Sequence, residues 1–245
     1  MSNISIVFKR ELKSYFATPV AYVFIVIFLI AANTFAFQFG GLYEQNQAEL
    51  GRSFFQWHPW LYLFLIPAIA MRLWAEERKS GSIELLATLP ITLWEMVLAK
   101  FLAAWAFSGI ALALTFPIWV TVNYLGDPDN GVIFTAYLGS FLMAGSFLAI
   151  GSCMSALTKN QVIAFIVTVV TCFLFLLMGS PLVTDVLQGW LPQSIVDGVS
   201  ALSFITHFAS ISKGVIDFRD LVYFGLMIGF WLYATKVVLE LTKAN

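Results

Sequence analysis

The stretch Val20-Ala-Tyr-Val-Phe-Ile-Val-Ile-Phe-Leu-Ile-Ala-Ala-Asn-Thr-Phe-Ala-Phe-Gln-Phe39 decides which solvent this chain folds in. It has the length of a bilayer-crossing helix, about 20 residues at ~1.5 Å each, and contains no Asp, Glu, Lys or Arg. It follows a basic segment, as the core of a secretory signal does, but such cores run only ~7–15 residues. It also ends in Gln38, Phe39, Gly40 and Gly41, with no small-x-small cleavage pattern. A retained span is expected. Apolar runs at about 57–75, 95–123, 133–157, 162–180 and 220–239 bring the candidates to six. Lipid offers no partner to an unpaired backbone N–H or C=O, and these runs far exceed the ~10-residue alternating strands of a barrel, so each is expected to be helical.

Composition agrees. With 60% hydrophobic and 11% charged residues and a mean hydropathy of +0.86, a soluble globular domain is excluded. Six spans of ~20 residues take about 120 residues, so residues 1–245 are expected to form a single transmembrane domain without a fused nucleotide-binding domain. The 13 Lys and Arg against 14 Asp and Glu leave a net charge of −1 and no nucleic-acid footprint. Cys153 and Cys172 lie inside apolar runs, where thiols act as small hydrophobes, and suggest neither a disulfide framework nor a metal site.

The placement of cations sets the expected orientation. With the N-terminus inside, the inner side holds Lys9, Arg10, Lys13, Arg72, Arg78, Lys79, Lys100, Lys159, Lys236 and Lys243, and the outer side only Arg52, Lys213 and Arg219. An N-in/C-in protein of the cytoplasmic (inner) membrane follows. Within residues 3–16, Ile4, Val7, Phe8, Leu12, Tyr15 and Phe16 recur at helical spacing with Lys9, Arg10 and Lys13 largely off the stripe, which predicts an amphipathic helix on the inner leaflet. Glu11 falls on the apolar side; it either snorkels or meets a partner protein. Pro19 separates this helix from the first span. The segment 181–219 mixes apolar runs with Asp185, Asp197, His207 and Lys213, and predicts short outer helices that dip into the interface without spanning.

Catalytic patterns are missing: there is no Gly-x-x-x-x-Gly-Lys-Ser/Thr loop, His-Glu-x-x-His pair, Cys-x-x-Cys pair or Gly-x-Ser-x-Gly elbow. His58 and His207 sit near outer boundaries, where a hydrogen-bonding histidine is the simpler reading. The spans are nearly free of ionisable residues away from their ends, which argues against coupling to protons or sodium. Charge concentrates instead in the inner loop 75–95, Ala75-Glu-Glu-Arg-Lys-Ser-Gly-Ser-Ile-Glu-Leu-Leu-Ala-Thr-Leu-Pro90. Ser80-Gly81-Ser82 offers a break and a cap, Ile83, Leu86 and Ala87 share a face of a short helix that Pro90 closes, and Thr92-Leu-Trp-Glu95 reads as a capping box. The positive-inside rule alone accounts for Arg78 and Lys79 but leaves Glu76, Glu77, Glu84 and the apolar cluster unexplained. A docking element for a cytosolic protein is therefore expected. Pro67 and Pro117, inside the second and third spans, each remove a ladder bond and serve either as bending points or as fixed kinks. Gly225-Leu-Met-Ile-Gly229 has small-xxx-small spacing and reads as packing within one subunit.

The inner loop from Glu77 to Pro90, with Glu95 and Lys100-Phe-Leu-Ala103, resembles the inner-loop signature of the ABC transporter type 2 permease family. Lys9-Arg-Glu-Leu-Lys-Ser-Tyr-Phe16 with Pro19-Val-Ala-Tyr22 is similar to that family's connecting helix, and Leu202-Ser-Phe-Ile-Thr-His-Phe208 with Gly214-Val-Ile-Asp-Phe-Arg-Asp220 resembles its gliding-motility and nitrous-oxide-reductase-maturation subgroup. Where that subgroup commonly has Ser-Pro, this chain has Ser203-Phe204. The resemblance implies a permease subunit of an ATP-driven exporter, homodimeric or paired with a paralogue. It has no cofactor of its own, and its separate ABC ATPase partner binds ATP and Mg. Glu77, Arg78, Gly81, Ser82, Glu84, Leu85 and Leu86 become coupling-loop residues, Arg10 and Glu11 connecting-helix residues, and 181–219 the re-entrant outer segment, with dimer contacts mainly on the first and fifth spans. Membrane lipid surrounds the chain, and an accessory periplasmic subunit is compatible with it. Two other functions stay open: a non-transporting membrane anchor that transmits force in an ABC assembly, and a polytopic membrane enzyme.

Overall fold

The computed structural model describes residues 3–42, 49–81 and 91–243, and among them all regular structure is helical. In chain order these are α1 (Asn3–Phe16), α2 (Pro19–Thr34), which widens into an i→i+5 turn over Phe35–Phe39, α3 (Leu50–Ser53), α4 (His58–Ala70), α5 (Arg72–Ser80), α6 (Leu93–Ala113), α7 (Phe116–Leu125), α8 (Asn130–Leu157), α9 (Gln161–Leu177), α10 (Pro181–Gln188), α11 (Gln193–Ser200), α12 (Phe204–Ile211) and α13 (Phe218–Lys243).

Helix α8 is the central pillar, contacted by α4, α5, α6, α9, α12 and α13. Its sequence explains why. The run is dense in Gly, Ala and Ser, which lets neighbouring backbones approach closely where apolar side chains gain nothing by leaving lipid. A Cβ on Gly151 would stand 2.3 Å from the methyl of Ala70 in α4, and one on Gly145 2.8 Å from the Trp105 ring in α6. Trp105 is fixed there by stacking on Phe141 at 4.5 Å and donating its indole N–H to the Phe141 carbonyl at 2.9 Å. As a result 72% of the most apolar window of α8 is buried inside the subunit, against 28% for the first span and 22% for the last, so those two form the rim.

The helix starts follow local chemistry. The Asp129 carboxylate accepts from the Gly131 and Val132 N–H groups at the start of α8, and the Asn160 side chain accepts from Val162 N–H at the start of α9. The expected capping box is present on α6: Glu95 N–H donates to the Thr92 hydroxyl at 3.2 Å, and Thr92 N–H to the Glu95 carboxylate at 2.9 Å. Pro19, Pro117 and Pro181 occupy first turns, where no N–H is missed. Pro117 therefore begins a new helix after the break at Leu114 and Thr115, instead of interrupting a continuous one. Pro67 does lie inside α4.

Among the described residues, four segments are long and apolar enough to cross a membrane: Pro19–Phe39, Leu93–Leu125, Asn130–Leu157 and Phe218–Thr242. The pairs α9 with α10 and α11 with α12, each bent by 65°, raise the number to six if each counts as one span. Residues 57–75, expected as the second span, are not among these segments. The apolar helix α4 has 13 residues, about 20 Å of rise, and α5 follows after Met71 with Arg72, Glu76, Glu77, Arg78 and Lys79. The expected fifth span, 162–180, ends at Leu177 and turns into α10. The segment 181–219 forms short helices, as expected.

Helix α1 forms over the expected residues, and its burial follows the expected stripe: Val7 is buried, Ile4, Phe8, Leu12, Tyr15 and Phe16 are half-buried, and Lys9, Arg10 and Lys13 are exposed. The apolar side is covered by α6, along which α1 runs in parallel: Asn3 reaches the Glu95 carboxylate, and Tyr15 stacks on Phe107 at 5.1 Å. The small-xxx-small pair differs from expectation. A Cβ on Gly225 or Gly229 would meet nothing within 4 Å, and both face outward beside Leu226 and Phe230, which are exposed. One helix turn of small residues sets a spacing, and α13 turns its other side, with Phe224 and Met227, to the core.

Candidate functional site

Lys100 sits two turns into α6 and is only 4% exposed. A lone ammonium there would carry a desolvation penalty of several kcal/mol, so it must be compensated. The compensation comes from two distant parts of the chain. Glu77 Oε1 of α5 lies 2.7 Å from Lys100 Nζ and Glu11 Oε2 of α1 3.4 Å from it, while the ring face of Trp74 lies 5.4 Å away. Arg10 Nη2 donates to Glu11 Oε1 at 2.6 Å. One buried cation thus ties α1 and α5 to α6.

The two carboxylates are not equivalent. Burial alone would raise the Glu11 carboxyl, but the charges of Lys100 and Arg10 hold it below its ordinary value. Burial wins at Glu77, whose carboxyl is raised despite Lys100. Arg10 bonds Glu11 directly but is the weakest influence on Glu77, which the Glu11 charge raises further.

Helix α5 is fixed to the far end of α8 by serines. Ser155 Oγ accepts from the N–H groups of Trp74 and Ala75, both at 3.0 Å, and donates to the Met71 carbonyl at 2.9 Å. The Trp74 indole donates to Ser152 Oγ at 3.0 Å, and Arg78 Nη1 donates to the Ala156 carbonyl in the last turn of α8. These bonds satisfy backbone groups at the Met71 break and at the α8 C-terminus, where the helical ladder runs out. They hold residues 75–80 in helix, where the sequence suggested loop. Arg72 and Glu76 add an i,i+4 pair at 3.0 Å. Gly81, at φ +72°, ends α5 in the left-handed conformation that glycine adopts without strain.

Of the residues singled out in the sequence, Glu11 and Glu77 come together on Lys100, Arg10 joins through Glu11, and Arg78 and Gly81 flank them on α5. Ser82, Glu84, Leu85 and Leu86, with the short helix expected to close at Pro90, lie outside the described residues. Within the chain, Glu11 pairs with the Lys100 ammonium, a partner the sequence reading did not name. Sequence reasoning took Lys100 as an inner-side cation and as part of the family-like Lys100-Phe-Leu-Ala103 stretch, without assigning it a partner, and passed over Trp74, Ser152 and Ser155. One available signal was a carboxylate on an apolar helix face and an ammonium inside an apolar run, each in need of the other.

Away from this cluster the two histidines are locked in place. His58 is fully buried, with Nδ1 2.6 Å from Ser140 Oγ. His207 places Nδ1 2.6 Å from Asp220 Oδ1 and Nε2 2.8 Å from the Ala201 carbonyl, with its ring stacked on Tyr223 at 3.9 Å. Among the described residues no group of three His, Cys, Asp or Glu side chains could hold a metal ion.

The described residues thus form an all-α bundle of membrane-crossing length, with a helical pillar and a charge cluster clamping two peripheral helices. The profile of the ABC-2 family transporter protein matches residues 6–228, and the chain belongs to that family. It is a membrane-embedded permease-type protein. No curated protein matches it.

Proposed function

We propose that the chain is the permease subunit of an ATP-driven exporter in the cytoplasmic membrane, N-in/C-in, working with a second permease copy or a paralogue and with separate ABC ATPase subunits that bind ATP and Mg. The observation that carries this reading is the Lys100 cluster. It joins α1 and α5, the helices that carry the connecting-helix and inner-loop residues, to α6 of the long segment Leu93–Leu125. That segment has 33 residues, about 50 Å of rise against a ~30 Å hydrocarbon core, long enough for its first turns to extend beyond the membrane on the inner side in this reading. Helix α1 runs along α6 from Glu95 to Phe107.

In the mechanism, ATP-driven closure of the partner ATPases pushes on α5 and the 75–95 loop. Helix α5 is internally hydrogen-bonded and bolted to α8 at Ser152, Ser155 and Ala156, so it passes the push to the pillar as a rigid lever, while Lys100 brings α1 and α6 along. The outward sides of α2 and α9, with Val23, Val26, Ile27 and Ile30 on one and Val162, Ile163, Ile166 and Val170 on the other, are exposed. They fit the first-span and fifth-span faces on which a second permease would seat. The subgroup reading rests on the resemblance of 202–208 and 214–220; the His207–Asp220 contact that closes this stretch fits a re-entrant outer segment.

Stoichiometric purification in mild detergent with its ATPase, followed by ATP hydrolysis in the complex with Glu77→Lys and Arg78→Glu, tests this. Co-purification and loss of transport-coupled hydrolysis are expected. Recovery of no ATPase, or unchanged coupling in both variants, would overturn it.

A further inference from the structure

The outer end of α8 carries a feature that the coupling reading does not use. Two adjoining cavities open there. One, of about 420 Å³, is lined by Arg52, Gln56, Trp60, Ile205, Phe208 and Lys213 among others. The second, of about 340 Å³, lies against Asp129, Val132 and Ile133 of the α8 start and shares Glu49, Gly51, Ser212 and Lys213 with the first. Val132 and Ser155 are 23 residues apart on one helix, or about 35 Å, so this cleft lies at the opposite end of the bundle from Lys100.

The charge in the cleft is unusual for its surroundings. Three cations are assigned to the outer side by sequence, Arg52, Lys213 and Arg219, and two of them line this one cleft. Among the described residues neither Arg52 nor Lys213 has an ion-pair partner; the pairs present are those of Arg10, Arg72, Lys100, His207 and Lys236. The larger cavity also carries Glu49, so that Arg52 and Lys213 less Glu49 leave one net positive charge there; Asp129, the cap of α8, lines only the adjoining cavity. Beside that charge is an apolar wall of Pro59, Trp60, Ile205, Phe208 and Ala209, with Trp60 41% exposed, a residue type that favours the headgroup level of a bilayer.

We infer that this cleft binds a phosphodiester-headed amphiphile, with the phosphate between Arg52 and Lys213 and the apolar chain along Trp60, Ile205 and Phe208. The single negative charge of a phosphodiester matches the single net positive charge of the larger cavity, and guanidinium and ammonium donors make charge-assisted hydrogen bonds to its oxygens. The inference holds whether or not an ATPase engages the other end.

Native mass spectrometry of the full chain in nonionic detergent tests it with three probes: dioleoylphosphatidylglycerol, dioleoylglycerol, which keeps the tails without the phosphate, and glycerophosphoglycerol, which keeps the head without the tails. The phospholipid is expected to bind, with neither fragment matching it. Arg52→Gln combined with Lys213→Gln is expected to weaken phospholipid binding roughly tenfold or more through loss of charge-assisted bonds, and Arg219→Gln to leave it unchanged. Equal binding of dioleoylglycerol or of the free head, an unaffected double variant, or an equal loss in Arg219→Gln would each overturn it, the last by revealing general attraction to outer cations. All three positions are exposed, so these variants fold.

Discussion

Glu77 approaches Lys100 more closely than Glu11 does, 2.7 Å against 3.4 Å, yet Glu77 is the carboxylate whose charge is less well supported. Removing the shared cation would strand both. Lys100→Met is expected to destabilise the protein by about 3–5 kcal/mol, the usual effect of breaking a buried pair from one side. Exchange of the charges in Lys100→Glu with Glu77→Lys is expected to recover part of that loss. Thermal unfolding in detergent checks both, and a single variant as stable as the wild type would mean that the cluster is not a clamp.

The two carboxylates should respond to acid with opposite signs. The Glu11 carboxyl is held below its ordinary 4.5, so its contribution is complete above that value and is lost as pH falls through the lower folded value. The Glu77 carboxyl is raised above its ordinary 4.5, so its contribution is complete below that value and is lost as pH rises through the higher one. Between the acid side and neutrality, the wild type should gain stability relative to Glu11→Gln and lose it relative to Glu77→Gln. Melting temperatures across that range, compared pairwise, would contradict this if the two differences moved together.

Contact between Gly151 and Ala70 leaves no room for a methyl group. Gly151→Ala is expected to cost about 1–3 kcal/mol by overpacking, and Ala70→Gly in the same chain to restore much of it. A double-mutant cycle measured by unfolding gives the coupling, and additive effects would place the strain elsewhere.

His207 closes the outer segment onto α13. Its Nδ1 faces the Asp220 carboxyl group and its Nε2 the Ala201 carbonyl. His207→Phe keeps the ring stack on Tyr223 but leaves Asp220, 5% exposed, without its partner. Amide hydrogen exchange over 193–211 is expected to speed up while exchange in α8 stays unchanged. Uniform protection in the variant would show that the segment is held by packing alone.

Long apolar runs, capping chemistry and helical stripes were legible in the sequence because each is local. The Thr92–Glu95 box and the burial of Val7 within the α1 stripe are examples. The length of the second span was not, because the Met71 break depends on Ser155, far along the chain, accepting the N–H groups that follow it. For the same reason Lys100 looked like an ordinary inner-side charge: its partners at positions 11 and 77 become neighbours only once α1 lies along α6. The outward aspect of Gly225 and Gly229 was also illegible, since spacing alone does not say which side of a helix meets the core.

Because Glu11 shares its cation with α6, the first helix is mechanically slaved to a segment that itself lies deep in the protein. Lys9 is exposed on the far side of that helix, so a fluorophore attached there would ride on the hidden segment without perturbing it. Distance measurements from such a label could follow the transport cycle from outside the bundle.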